Sequence, residues 1–243
     1  YQAIVNDDTH SVEHVATDTF TLIPHDDLES AFKTALGNSK LPLDDMLVGR
    51  DESHNGCRAF GTYVLPKMTH NINGAEIAAT LGWQNAYDGS MKLSVFGGHW
   101  NFFCNNQARI GETVYSRKHI GEIDVDEIAL DLIQAIERYH VKMIAMRDWP
   151  AKPMTDNNFI DITESLEGTN KRLQGELLTS WLRAKSDTGP NGGASLWSAY
   201  NVLTYWSTHG DGFKAATKAY ARSNREQRVA ALIEAPAWQA LAA

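Results

Sequence analysis

Apolar and polar positions change period several times along this chain, and each change marks a predicted element. Leu28, Ala31, Phe32, Ala35 and Leu36 follow Asp26-Asp27 at helical spacing, which predicts a short amphipathic helix ended by Gly37. From Cys57 the period falls to two. Arg58, Phe60, Thr62 and Val64 alternate with Cys57, Ala59, Gly61, Tyr63 and Leu65, a strand expected to stop at Pro66. Residues 75–84 form a second strand, and Asn85-Ala86-Tyr87-Asp88-Gly89-Ser90 is turn chemistry, because Asp-Gly tolerates positive φ. Met91, Leu93 and Val95 alternate with Lys92, Ser94 and Phe96 in the return strand, with a break expected at Gly97-Gly98. Aromatic residues 99–104 continue the sheet, and residues 112–119 predict a further strand.

The strongest helical signal follows. Asp124 is suited to cap it, Asp126 and Glu127 favour its positive end, and Val125, Ile128, Ala129, Leu132, Ile133, Ile136, Tyr139, Met143 and Ile144 share one face up to Trp149-Pro150. Two helical pieces are expected over 159–185, an exposed Gly/Pro loop over 187–193, and helices over 195–209 and 212–235. Strands first and helices afterwards predict an α+β fold: an antiparallel β-meander of about four strands packed by a long helix, then a helical C-terminal part. We expect one domain, with an acidic segment at 1–50, the sheet and central helix at 55–150, and the helical part at 155–243.

Composition changes this picture in two respects. The net charge of −8 is uneven, with 6 Lys+Arg against 13 Asp+Glu in residues 1–100 and 10 against 9 in residues 151–243. An acidic total argues against indiscriminate coating of nucleic acid but leaves local patches able to bind. The two cysteines, Cys57 and Cys104, form no CxxC pair, so two core thiols in a reducing, cytoplasmic setting are expected. No apolar run reaches about 18 residues, so no membrane is expected among the partners. The chain begins at Tyr1, which points to a trimmed sequence.

Catalytic signatures are missing. There is no GxxxxGK[ST] loop, no GxGxxG opening a helix, no HExxH and no GxSxG. His10 and His14 are four apart, but their neighbours make a poor helix and no third ligand has suitable spacing. Asp88, His99 and Cys104 on one predicted hairpin lack a setting that would activate the thiol, so a core cysteine beside a turn aspartate is the plainer reading. No catalytic residue, metal or cofactor is therefore expected.

Lys214, Lys218, Arg222, Arg225 and Arg228 fall within roughly 120° of one another on a helix, opposed only by Glu226. Such a row can neutralise a nucleic-acid backbone, although it can equally be a solvated face or an oligomer contact. A second cluster, Arg109, Arg117 and Lys118 with Tyr115 and His119, follows Trp100, Phe102 and Phe103. Cations beside aromatic platforms suit single strands, while the same aromatics also serve as strand core.

Four ordered stretches carry a family resemblance: Asn85 to Ser90 to an N-x-x-D-G-S turn, Phe103-Cys104-Asn105-Asn106 to a V-C-x-N strand end, Arg117-Lys118-His119 to a basic segment before the central helix, and Ser195 to Thr204 to a T-L-W-x-x-Y-N-A-x-T helix. Over residues 55–210 the chain resembles the phage/plasmid-like proteins of unknown function (DUF932). Ala86-Tyr87 replaces a common Ser-His pair, so no role of that histidine is carried over. The resemblance implies a phage or mobile-element origin and a bacterial cytoplasmic setting. The order of meander and long helix is also similar to the core of single-strand annealing recombinases, which assemble into rings or filaments and bind single-stranded DNA in cationic grooves without nucleotide or metal.

These readings lead to an expectation of a non-enzymatic single-stranded-DNA-binding protein of annealing or replication-support type, acting as a homo-oligomer, with the eight cations above on phosphates. The alternatives are a protein–protein effector that engages a host protein of defence or transcription, and an enzyme with an unrecognised site.

Overall fold

The computed structural model describes residues 1–101, 113–209 and 218–243. Period-two alternation becomes a five-stranded antiparallel meander in the order β3-β4-β5-β6-β7: β3 Leu47–Ser53, β4 Arg58–Ile72, β5 Ala75–Ala86, β6 Leu93–Asn101 and β7 Thr113–Arg117. Two earlier strands, β1 Gln2–Val5 and β2 Val12–Ala16, pair as a separate antiparallel hairpin. The helices are α1 His25–Asn38, α2 Val125–Met146, α3 Asp156–Glu164, α4 Lys171–Ser186, α5 Leu196–His209, α6 Lys218–Glu234 and α7 Pro236–Ala242, with a short 3₁₀ turn at Trp149–Ala151. The α+β class and the order of strands before helices are as expected. No helix among the described residues is long and apolar enough to cross a membrane.

Two local expectations need correction, and a third holds. Strand β4 does not end at Pro66. It runs on to Ile72, and its pairing with β5 shifts between Leu65↔Ala79 and Thr69↔Ala78. Proline lacks the N–H a ladder needs, so it sits in this irregularity rather than terminating the strand. Gly97-Gly98 is not a break either: the two residues pair with Leu81 and Thr80. His10 and His14 share no helix, because His14 lies on β2 and His10 has a positive φ of 55° beyond its start.

Glycines in the central strands make room for aromatic rings. A Cβ on Gly61 would come within 2.1 Å of Trp83 Nε1, and one on Gly82 within 2.4 Å of the Phe96 ring. Trp83 is fully buried on the face that packs under α1 and α2, with Tyr63, Leu65, Leu81, Leu93 and Val95. Helix α2 starts where expected, the Asp124 side chain accepting hydrogen bonds from the amides of Asp126 and Glu127 at 2.9 and 3.1 Å. Its N-terminal turns and middle supply Ile128, Ala129 and Ile136 to this core. Its last turns supply Met143 and Met146 to a second core built from α3 to α7 around Trp149, Trp181, Trp197, Tyr200 and Trp238.

Candidate nucleic-acid interface

The Asn-x-x-Asp-Gly-Ser turn is where sequence motif and buried chemistry meet. Asp88 accepts from Arg58 Nε and Nη2 at 3.0 and 2.7 Å and from the Ser90 amide at 3.0 Å, while Gly89 takes the left-handed φ of 66°. These hydrogen bonds hold the Asp88 carboxyl below its ordinary range despite partial burial, which acts to raise it. Asn85 is fully buried and donates from Nδ2 to the Ile23 carbonyl at 2.8 Å and to His25 Nδ1 at 3.0 Å. Its Oδ1 accepts from His119 Nε2 at 2.6 Å. His25 completes the chain by donating from Nε2 to the Gly56 carbonyl at 3.1 Å, and its ring stacks on Tyr87 at 3.9 Å. With both nitrogens of His25 committed, the ring is held neutral, and burial lowers its pKa to about 4. His119 is lowered too, again by burial. The motif therefore ties the approach to α1 onto the sheet, and its polar atoms are used up in doing so.

Beside this network a cleft of about 510 Å³ opens between the β1–β2 hairpin, the start of α1 and β3. Asp7, Asp8, Glu13, Asp26 and Glu52 line it around one cation, Arg50, which pairs with Asp26, with Glu29 at 3.2 Å and with Glu52 at 2.7 Å. Arg50 holds the Asp26 carboxyl low, and Lys33 followed by Arg50 does the same for Glu29. Among the described residues no three His, Cys, Asp or Glu side chains are grouped to hold a metal. Cys57 is a buried free thiol whose pKa burial raises, while Cys104 lies outside the described residues.

Of the eight cations expected on phosphates, the five whose side chains are described do not share one open surface. Lys214 and Arg109 lie outside the described residues, and Lys218 is described only as the first residue of α6. Arg117, the last residue of β7, and Lys118 just after it are exposed at one of the sheet's two edges. The other three turn toward the protein. Arg222 pairs through Nε with the buried Glu226 at 3.0 Å. Arg225 and Arg228 both lie over the Trp206 ring, each 5.1 Å from its centroid, and Arg225 Nη1 reaches the Trp206 carbonyl at 3.4 Å. What periodicity reports as a stripe is, for Arg225 and Arg228, a packing surface against Trp206 of α5, and for Arg222 an ion pair within α6.

Trp206 also lines a feature that periodicity did not reveal. Helices α4 and α5 flank a groove of about 700 Å³ lined by Arg172, Glu176 and Arg183 from α4 and by Tyr205, Trp206 and His209 from α5. Tyr205 is 54% exposed and stacks on His209, centroids 4.4 Å apart and planes within 9°. Helix α4 carries Lys171, Arg172, Arg183 and Lys185 against the single acid Glu176, which takes Arg172 Nη1 at 2.7 Å. The missed signal was a combination: a cationic helix next in sequence to one that ends in Tyr-x-x-x-His, where i,i+4 spacing puts both rings on one face.

The fold and these sites define an α+β protein that joins a β-meander to a helical bundle and has a cationic, aromatic groove on the bundle. More particularly, the chain belongs to the domain-of-unknown-function family DUF932, whose model matches residues 14–233. No curated protein and no solved structure matches it.

Proposed function

We propose that this protein binds single-stranded nucleic acid, DNA in the first instance, with bases on Tyr205 and phosphates along Arg172 and Arg183. The observation that carries this reading is the exposed Tyr205–His209 stack inside a cation-lined groove. Single strands expose π-faces and phosphates together, and stacking on an aromatic side chain is worth about 1–3 kcal/mol per base whatever the base. A duplex hides those faces. The role that fits is annealing or replication support by a non-enzymatic oligomer, in the bacterial cytoplasm of a phage or mobile-element host, with Arg117 and Lys118 as auxiliary contacts.

Anisotropy of a labelled oligo-dT tests it. Binding should be measurable at about 50 mM salt and fall by at least tenfold at about 200 mM as counterion release is suppressed. Absence of binding at low salt, or affinity indifferent to salt, refutes the proposal. The acidic cleft around Arg50 favours one rival, a protein–protein effector that engages a basic host surface. Capture of a host protein by nuclease-treated chain, together with no oligonucleotide binding, would establish that rival instead.

A further inference from the structure

Arg228 carries a need that the described fold leaves unmet. Its guanidinium is pressed over the Trp206 ring on one side, and a Cβ on Gly168 would stand 3.4 Å from Nη2 and 3.6 Å from Cζ. Nε and Nη2 are both buried and have no hydrogen-bond partner among the described residues. These two atoms form one edge of the planar fork, the edge that grips a carboxylate or phosphate with two parallel bonds. Its neighbours on α6 are provided for: Arg222 has Glu226, and Arg225 has the Trp206 carbonyl. Burial lowers the pKa of Arg228, and the charge of Glu167 only partly offsets this. Glu167 itself is exposed, in the turn before α4, and makes no ion pair with Arg228 among the described residues.

We infer that the Nε–Nη2 edge of Arg228 is a seat for a tetrahedral oxyanion, a phosphate group, which enters when the Glu167–Gly168 turn moves aside. Both turn residues are exposed, Gly168 carries no side chain over the guanidinium, and the one backbone bond across them is the Thr169 amide on the Leu166 carbonyl at 3.0 Å, so displacing the turn breaks a single backbone hydrogen bond among the described residues. Trp206 connects the seat to the groove, since it lines the groove while packing against Arg228. The inference deepens the single-strand reading and rests on it for one source of the phosphate, the backbone of a bound strand. Free inorganic phosphate is the other source.

Thermal melting in inorganic phosphate against chloride at matched ionic strength reads the seat directly. At roughly tenfold excess over its dissociation constant, phosphate should raise Tm by about 3 °C beyond chloride. Arg228→Lys keeps the charge but not the fork and should lose that increment. Its Tm in chloride shows that it folds. Glu167→Gln removes the competing carboxylate and should enlarge the increment. No phosphate increment in the native chain, or an increment unchanged in Arg228→Lys, overturns the seat. Oligo-dT separates the sources: Arg228→Lys should weaken it about tenfold, whereas Tyr205→Ala should weaken it and keep the phosphate increment. Strand binding without a phosphate increment refutes the seat and leaves the groove reading standing. A phosphate increment without strand binding refutes the groove reading and leaves a seat for free phosphate.

Discussion

Acidification should act on this protein through His25 before it acts on most of its carboxylates. In the folded chain the ring is buried, donates to Gly56 and accepts from Asn85, so a proton on Nδ1 would set two donors against each other. Turning the Asn85 amide over gives no escape, because its Nδ2 also serves the Ile23 carbonyl and its Oδ1 serves His119. The charges nearest the ring are Arg50, which opposes protonation, and Asp26, which favours it, with burial outweighing both. The folded value of about 4 lies below the unfolded value of 6.5, so the unfolded chain takes up a proton that the folded chain refuses. The contribution of His25 to stability is thus complete above pH 6.5 and is lost as pH falls toward 4. Integrating over that interval gives a loss of about 2.5 kcal/mol by about pH 4.5. Urea unfolding of the native chain and of His25→Gln at about pH 7.5 and 4.5 would measure it. The variant should be less stable at the higher pH but lose about 2 kcal/mol less between the two, since all other titrations are common to both chains. Equal losses would refute the reasoning.

Other expectations follow from single contacts. Gly61→Ala drives a methyl into the buried Trp83 and should cost about 3 kcal/mol in urea unfolding, with little effect on oligonucleotide affinity. Asp88→Asn keeps the shape of the motif turn but weakens the two-bond grip of Arg58, and a double-mutant cycle with Arg58→Ala should return a coupling of about 1–3 kcal/mol. Asp124→Ala removes both cap acceptors of α2 and should lower stability by about 1 kcal/mol, read as a fall in Tm. Tyr205→Ala should reduce oligo-dT affinity by roughly tenfold or more while lowering Tm by no more than a few degrees, because the ring is about half exposed and stacks on His209 at the groove surface.

Much of the architecture was legible because its signals are local. The cap at Asp124, the apolar face of α2, the Asp-Gly turn and the alternation of β4 and β5 each depend on neighbours within a few residues. Strand β3 was not legible. Leu47–Ser53 is an edge strand exposed at all but its last residue, so burial imposes no alternation on Gly49, Arg50, Asp51 and Glu52. The β1–β2 hairpin escaped for the same reason, with Val5, Val12 and Val15 exposed on its outer face. The candidate site was legible only in part. Charge periodicity on α6 located real neighbours, but it is blind to the partner across the interface, and here Trp206 of α5 takes up Arg225 and Arg228, while Arg222 is held by Glu226 on its own helix. The groove depends on α4 lying beside α5, a long-range fact that neither helix announces alone. The motif residues Asn85 and Asp88 were singled out as a turn, while the three-way link of Asn85 to residues 23, 25 and 119 needed the fold.

Helix α2 has one end in each core. Its 22 residues span about 33 Å, with Ile128, Ala129 and Ile136 under the sheet and Met143 and Met146 among the bundle tryptophans. A rigid rod anchored at both ends transmits displacement instead of absorbing it, so a tilt imposed by a ligand on the bundle is passed to the strands above α1. The same linkage merges the two halves thermodynamically. Melting either core strips apolar cover from half of the shared helix and removes support from the other, and calorimetry should record one heat-absorption peak whose van't Hoff and calorimetric enthalpies agree.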